Sequence, residues 1–174
     1  MDSFKQLVQY RRSHRAFTPE KVSKEDLNTI LRAGLMSPSA MHRRSWQFIV
    51  VEDESTIAQL AKAKASGAQF LNGAPLAIVV AGKADNDCWL EDCSIAAVTM
   101  QYQAADLGLG SCWAQMHGRT QADGTMAEDV IRQLLHIPAN VNILCVLGIG
   151  YSTDERKPQD EGSLKWENVH NNQW

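Results

Sequence analysis

From Trp89 to Leu107 the chain runs nineteen residues without a glycine or a proline, and Ile95, Ala96, Val98, Met100 and Ala104 place apolar groups on more than one face of the helix this implies. A helix with apolar residues on more than one face has more to bury than one contact covers. It must be wrapped by the rest of its domain or shared with a second molecule. Ala96, Ala97, Ala104 and Ala105 would let another helix approach closely, and a monomeric core accounts for them equally well. At 174 residues, 44% of them hydrophobic, the chain is long enough to wrap such a helix as one domain spanning residues 1–174. No repeat or linker divides it.

Around that helix, short elements of both kinds are expected. Phe4, Leu7 and Val8 mark an amphipathic turn or two that runs into a basic cluster. Ser23-Lys24-Glu25-Asp26 reads as a capping box before Leu27, Ile30 and Leu31, with an end near Gly34. Gln47 to Val51 has the β-branched and aromatic content of a buried strand, and Leu76 to Ala81 follows Pro75 as a second. Between them Ser55 is expected to cap a helix through Ile57, Leu60 and Ala61. Gly108 to Ser111 is a glycine turn into a short strand, Met126 to Leu135 a helix, and Val141 to Leu147 a last strand closed by Gly148 and Gly150. The polar tail from Tyr151 holds Trp166 and Trp174, which are expected to dock on something. Few strands enclosed by helices, in an order that does not strictly alternate, predict an α+β fold.

Charge is unevenly spread. The net charge is −3, yet residues 1–50 carry nine Lys/Arg against four Asp/Glu, a local balance of +5, which leaves −8 for the remainder. Arg11-Arg12-Ser13-His14-Arg15 concentrates that positive field. Guanidinium forks and a short hydroxyl match phosphate oxygens, so the cluster reads either as a small-anion site or as a solvated basic turn. The acidic total and the lack of an aromatic-interleaved basic stripe disfavour a nucleic-acid binder. Cys88, Cys93, Cys112 and Cys145 have no zinc spacing and read as reduced thiols of a soluble, cytoplasmic protein with no membrane span or signal peptide. The five histidines are scattered. No P-loop is present, and Gly108-Leu109-Gly110 follows a helix instead of a strand, the wrong context for a dinucleotide fingerprint.

Four motifs in order then carry a resemblance: Arg-Arg-Ser-x-Arg-x-Phe from Arg11, Ser-Pro-Ser-Ala-Met-x-Arg-x-x-Trp-x-Phe from Ser37, Gly-Leu-Gly-Ser-Cys-Trp from Gly108, and Leu-Gly-x-Gly-Tyr from Leu147. Together they resemble the FMN-dependent nitroreductase family over nearly the whole chain. The resemblance implies a central sheet surrounded by helices, an intertwined homodimer with two interfacial FMN sites, and ping-pong electron transfer from NADH or NADPH to a nitroaromatic, a quinone or another small conjugated acceptor. It further implies that Arg11, Arg12, Ser13 and Arg15 hold the FMN phosphate and ribityl chain, with Arg156 or Lys157 as a further phosphate contact. Pro38, Ser39, Ala40 and His42 would approach the ring from the other subunit. Trp113, Ala114, Gln115 and Met116 would lie beside it, their backbone N–H groups reaching N5. No side chain need act as acid or base for hydride transfer itself, and no metal is implied.

Relatives commonly read Asn-x-Gln-Pro-Trp where this chain reads His42-Arg43-Arg44-Ser45-Trp46. Two neutral amides are thereby replaced by groups that can carry charge, and Arg44 either reaches the ring, where it would favour the anionic reduced flavin, or points to solvent. A flavin-processing enzyme of the same fold and an anion- or nucleic-acid-binding module stand as alternatives.

Overall fold

The structure is a computed structural model that describes residues 3–174. Seven elements lead to the long helix: α1 (Phe4–Tyr10), α2 (Lys24–Leu35), a 3-10 turn (Ala40–His42), β1 (Trp46–Val51), α3 (Glu54–Leu60), a second 3-10 turn (Gln69–Gly73) and β2 (Leu76–Lys83). Then come α4 (Trp89–Asp106), β3 (Gly110–Gln115), α5 (Ala127–Leu135) and β4 (Val141–Gly150), with two short 3-10 turns in the tail. The four strands form one sheet in the order β1-β2-β4-β3, antiparallel throughout. This is the expected α+β class, with helices on both faces.

Each face has its own core. On one, α4 and α2 cover Leu76, Ile78, Val80, Leu144 and Leu147, and Met100 packs at the centre. On the other, α3 and α5 cover Ala77, Val79, Ala81, Ile143 and Val146. The central strands β2 and β4 are therefore sealed on both sides, which their unbroken apolar runs require. Helix α4 buries Cys93, Ala96, Ala97, Met100 and Ala104, while Leu90, Ile95 and Val98 stay exposed on its outer side. The long apolar helix is thus half wrapped by its own chain.

Several local expectations hold. Ser23 caps α2, its Oγ accepting the Asp26 N–H at 3.0 Å. Others are corrected. Helix α3 is capped by Asp53, whose Oδ2 accepts Thr56 N–H at 2.8 Å and the Ser55 hydroxyl at 2.7 Å, so Ser55 is inside the helix. A carboxylate can take several donors at once where a hydroxyl takes fewer. Strand β4 runs on through Gly148 and Gly150 instead of ending before them. A Cβ at Gly150 would sit 2.6 Å from Pro75 Cδ, so glycine lets the strand pass under the Pro75 turn. Strand β1 is an edge, and its middle residues are only partly buried. In α1 only Leu7 is buried, whereas Phe4 and Val8 are exposed. The tail tryptophans Trp166 and Trp174 are exposed as well, Trp174 stacking on His170 at 4.2 Å.

Candidate functional site

Strand β3 is the sheet edge on which the site can be built. His14 N–H donates to the Ser111 carbonyl at 3.0 Å, and Ser13 bridges Ser111 in parallel. The backbone groups of Ser111 therefore point away from β4. Because these directions alternate along a strand, Trp113 and Gln115 also present N–H and C=O to the open edge. Ala114 and Met116 do not: their N–H groups face β4, and Met116 N–H donates to Leu144 O at 3.0 Å. Their side chains are fully buried in the core under α3 and α5. Of the four residues expected beside a ring, only Trp113 and Gln115 offer free-edge donors. Their side chains are clamped in turn, Trp113 Nε1–H donating to Gln115 Oε1 at 2.9 Å.

The basic cluster sits at the head of this edge. Arg11, Arg12 and His14 line a cleft of about 170 Å³ with Gly108, Leu109, Gly110 and Ser152. The backbone comes very close here, since a Cβ on Gly110 would lie 2.8 Å from Ser152 Cβ and 2.9 Å from His14 Cβ. Arg11 stacks over Tyr102, 5.8 Å from its centroid. Arg12 donates to the carbonyl of Lys157, so the tail meets the cluster through backbone at that residue. Ser13 and Arg15 both lie beside Cys112, whose thiol is raised by burial and opposed by the Arg15 charge and the Ser13 hydrogen bond.

Asp154, which sequence reasoning did not single out, organises this end. Its carboxylate accepts Arg15 N–H at 3.2 Å and Arg156 Nε at 2.9 Å, and His14 Nδ1 lies 3.0 Å away. Burial pushes the carboxyl upward, but the Arg15 N–H, the Arg156 guanidinium and His14 outweigh it and hold it at about 2. Arg156 is thereby drawn to the cluster through Asp154. Lys64 is a second residue the sequence did not reveal. Burial and then the neighbouring Arg119 lower its ammonium, with Cys112 acting in the other direction, and it lines a cleft with Gln69, Asn72 and Gln121.

The loop holding Pro38, Ser39, Ala40, His42 and Arg44 is elsewhere. It is fixed by a buried network at the first turn of α4. Ala40 N–H donates to Asp92 Oδ1 at 2.8 Å, and Asn86 Nδ2 donates to Asp92 Oδ2 at 2.8 Å and to Ser45 Oγ at 2.6 Å. Arg43 donates to Asn86 Oδ1 at 3.2 Å and Asp87 at 2.8 Å, and Arg44 N–H to Ser39 Oγ at 3.1 Å. Met41, His42 and Arg44 all have positive φ, at 47°, 59° and 48°. Non-glycine residues hold that conformation only where their surroundings over-determine it. The network is that constraint, while Met41, His42 and Arg44 themselves are exposed.

One chain thus brings together Arg11, Arg12, Ser13, Arg15, Arg156, Trp113 and Gln115, but not the loop. The basic cleft includes Ala105 and lies at the C-terminal end of α4, whereas the loop lies at its N-terminal end. Asp92 and Ala105 are thirteen residues apart on the helix, roughly 20 Å at about 1.5 Å per residue. Among the described residues no group of His, Cys, Asp and Glu is arranged to hold a metal, and no helix is long and apolar enough to cross a membrane.

Known proteins share this architecture. An FMN-dependent nitroreductase of Clostridium difficile R20291 superposes with a TM-score of 0.96 at 40% identity, covering 98% of this chain and 100% of that one. A Bacteroides thetaiotaomicron structure, provisionally named NADH dehydrogenase/NAD(P)H nitroreductase, gives 0.87 at 31% identity, covering 97% and 96%. An Archaeoglobus fulgidus protein with the same provisional name is 31% identical over the full length of both chains. The model of the nitroreductase family matches residues 8–70 and 62–151. With the fold, the four motifs and this match in agreement, the chain belongs to the nitroreductase family.

Proposed function

We propose that the protein is a homodimeric, FMN-dependent oxidoreductase that takes reducing equivalents from NADH or NADPH and passes them to a nitroaromatic, a quinone or a similar flat conjugated acceptor. The observation that carries this reading is the Ser13–Ser111 bridge, which sets three guanidiniums at the head of an unpaired strand edge. Such an edge serves a phosphate at one end and a hydrogen-bonding ring along its length. FMN fits both requirements, and the Clostridium difficile relative is described as FMN-dependent. When bound, FMN supplies the two-electron carrier chemistry.

The chain's own residues then bind, orient and cover. Arg11, Arg12, Ser13 and Arg15 hold the phosphate and ribityl chain, with Asp154 fixing the Arg15 backbone and drawing in Arg156. Trp113 and Gln115 N–H groups orient the ring from its edge. Pro38, Ser39, Ala40 and His42 precede β1, at the opposite edge of the sheet from β3, which supports a site completed by the loop of a second copy. The exposed Phe4, Leu90, Ile95 and Val98 provide apolar surface for that copy, and Trp166 and Trp174 are placed for the same use. Reductant and acceptor use one open face in turn, so the reductant leaves before the acceptor enters.

Absorption spectra test the reading. Protein mixed with FMN and dialysed in moderate salt should retain flavin absorbance that NADH or NADPH bleaches and a quinone restores, with parallel double-reciprocal plots. Protein that loses all flavin, or whose bound flavin neither reductant bleaches, would refute it.

A further inference from the structure

Two residues beyond Gln115, at the end of the open β3 edge, stands a histidine held from several sides. His117 Nδ1 lies 2.8 Å from Glu128 Oε1, and the other carboxylate oxygen accepts Gly118 N–H at 3.0 Å. The Trp89 ring meets the imidazole at right angles with centroids 5.1 Å apart. The His117 N–H donates to Leu144 O at 2.9 Å, and its carbonyl accepts Gln115 Nε2–H at 3.2 Å. These bonds hold the His117 backbone against Leu144 and the Gln115 side chain. A carboxylate at Nδ1 sets the proton there and orients the ring, which leaves Nε2 as the nitrogen for an incoming partner. The His117 side chain retains 42% of its exposure and Glu128 only 16%, so it is the imidazole that meets molecules from solvent.

From this geometry we infer that His117 is the proton donor to the electron acceptor, an assignment that rests on the flavin reading above. Reducing a quinone to a hydroquinone takes two electrons and two protons. A bound FMN would supply both electrons and one of the protons as hydride. The other proton passes from Nε2 of the doubly protonated imidazole to the acceptor oxygen, leaving the neutral ring with its proton on Nδ1, held by Glu128. Water restores the lost proton. The pair would otherwise serve only to tie the Gly118 turn to α5, and that role makes no distinction between acceptors.

Ferricyanide makes the distinction, because it takes electrons without a proton. In stopped flow on the flavin-loaded protein, His117→Gln should slow reoxidation by 1,4-benzoquinone about a hundredfold, the size typical of a positioned acid. Reduction by NADH or NADPH and reoxidation by ferricyanide should stay unchanged. Glu128→Gln, which preserves side-chain size, should show the same pattern with a smaller loss, and imidazole should restore quinone reoxidation to His117→Gly. A readout independent of turnover is the ¹⁵N resonance of His117 Nε2, which should move on titration with hydroquinone. Quinone rates equal in parent and variant, equal losses with both oxidants, or an unmoved resonance would overturn the assignment. Failure of the flavin reading is recognised separately, since the parent protein would then retain no reducible flavin, and both assignments would go.

Discussion

At the C-terminal end of α4, guanidiniums lie at or near the surface, and one partly exposed carboxylate, Asp154, holds the Arg156 guanidinium and the Arg15 N–H. At its N-terminal end a loop of left-handed residues is locked by a carboxylate that is 2% exposed, Asp92. The first arrangement leaves charge available to a ligand, while the second spends its carboxylate on backbone and amide donors and leaves none over. Damage at the basic end should therefore appear as lost affinity in a protein that is still folded. Damage at the loop end should appear first as lost stability.

Asp92→Ala is expected to have the largest effect. It leaves Ala40 N–H and Asn86 Nδ2 without their acceptor, and each buried orphan costs about 1–3 kcal/mol. A loss of about 3 kcal/mol corresponds to a Tm lower by ~10 °C for a domain of this size, readable by calorimetry of the flavin-free protein. An unchanged Tm would mean that the network does not hold the loop. Arg11→Ala should leave the flavin-free Tm as it was and weaken FMN binding by roughly ten- to a hundredfold, the cost of one charge-assisted contact of about 1.5–3 kcal/mol. Unaltered retention of FMN would take Arg11 out of the phosphate site.

Acid should separate the two ends further. The folded-state carboxyl of Asp154 is depressed to about 2, against an ordinary value near 3.9. Its contribution is therefore complete above about pH 4 and is lost as the pH falls through about 2. The stability difference between the parent and Asp154→Asn should be constant from neutral pH to about pH 5 and vanish near pH 2. A gap that persists at pH 2 would mean that the carboxylate charge is not what matters. The smallest effect belongs to Arg44, which is exposed and holds φ 48° with its N–H on Ser39. If its guanidinium reaches the ring covered by the loop, Arg44→Gln should lower the flavin midpoint potential by at most a few tens of millivolts. Equal potentials, or a rise, would place it in solvent.

Much of the fold could be read from periodicity alone. The long glycine-free run is α4, the Ser23 box caps α2, and the runs after Pro75 and Val141 are the sealed central strands. What could not be read depends on contacts between distant residues. The glycines of β4 looked like strand ends because the Pro75 turn that needs the space is some seventy residues away. The site divides in the same way. The arginines and Ser13 declared themselves by composition, whereas Asp154, Asp92 and Lys64 are ordinary charged residues until folding sets them beside their partners. The period of two in β3 did contain the information that only alternate residues among Trp113, Ala114, Gln115 and Met116 face its open edge; a single bridge at Ser111 fixed which ones.

Mixed dimers test most directly whether the two ends of α4 serve different sites. One chain carries Arg11→Ala and the other Asp92→Ala, and dimers containing one of each are isolated through distinct affinity tags. If the basic end of one chain works with the loop of its partner, one site of the mixed dimer combines both defects and the other combines two intact halves. Titration with FMN should then find one site of parental affinity per mixed dimer, although neither homodimer has any. A mixed dimer with no site of parental affinity would show that each chain builds its site alone, and would contradict the account.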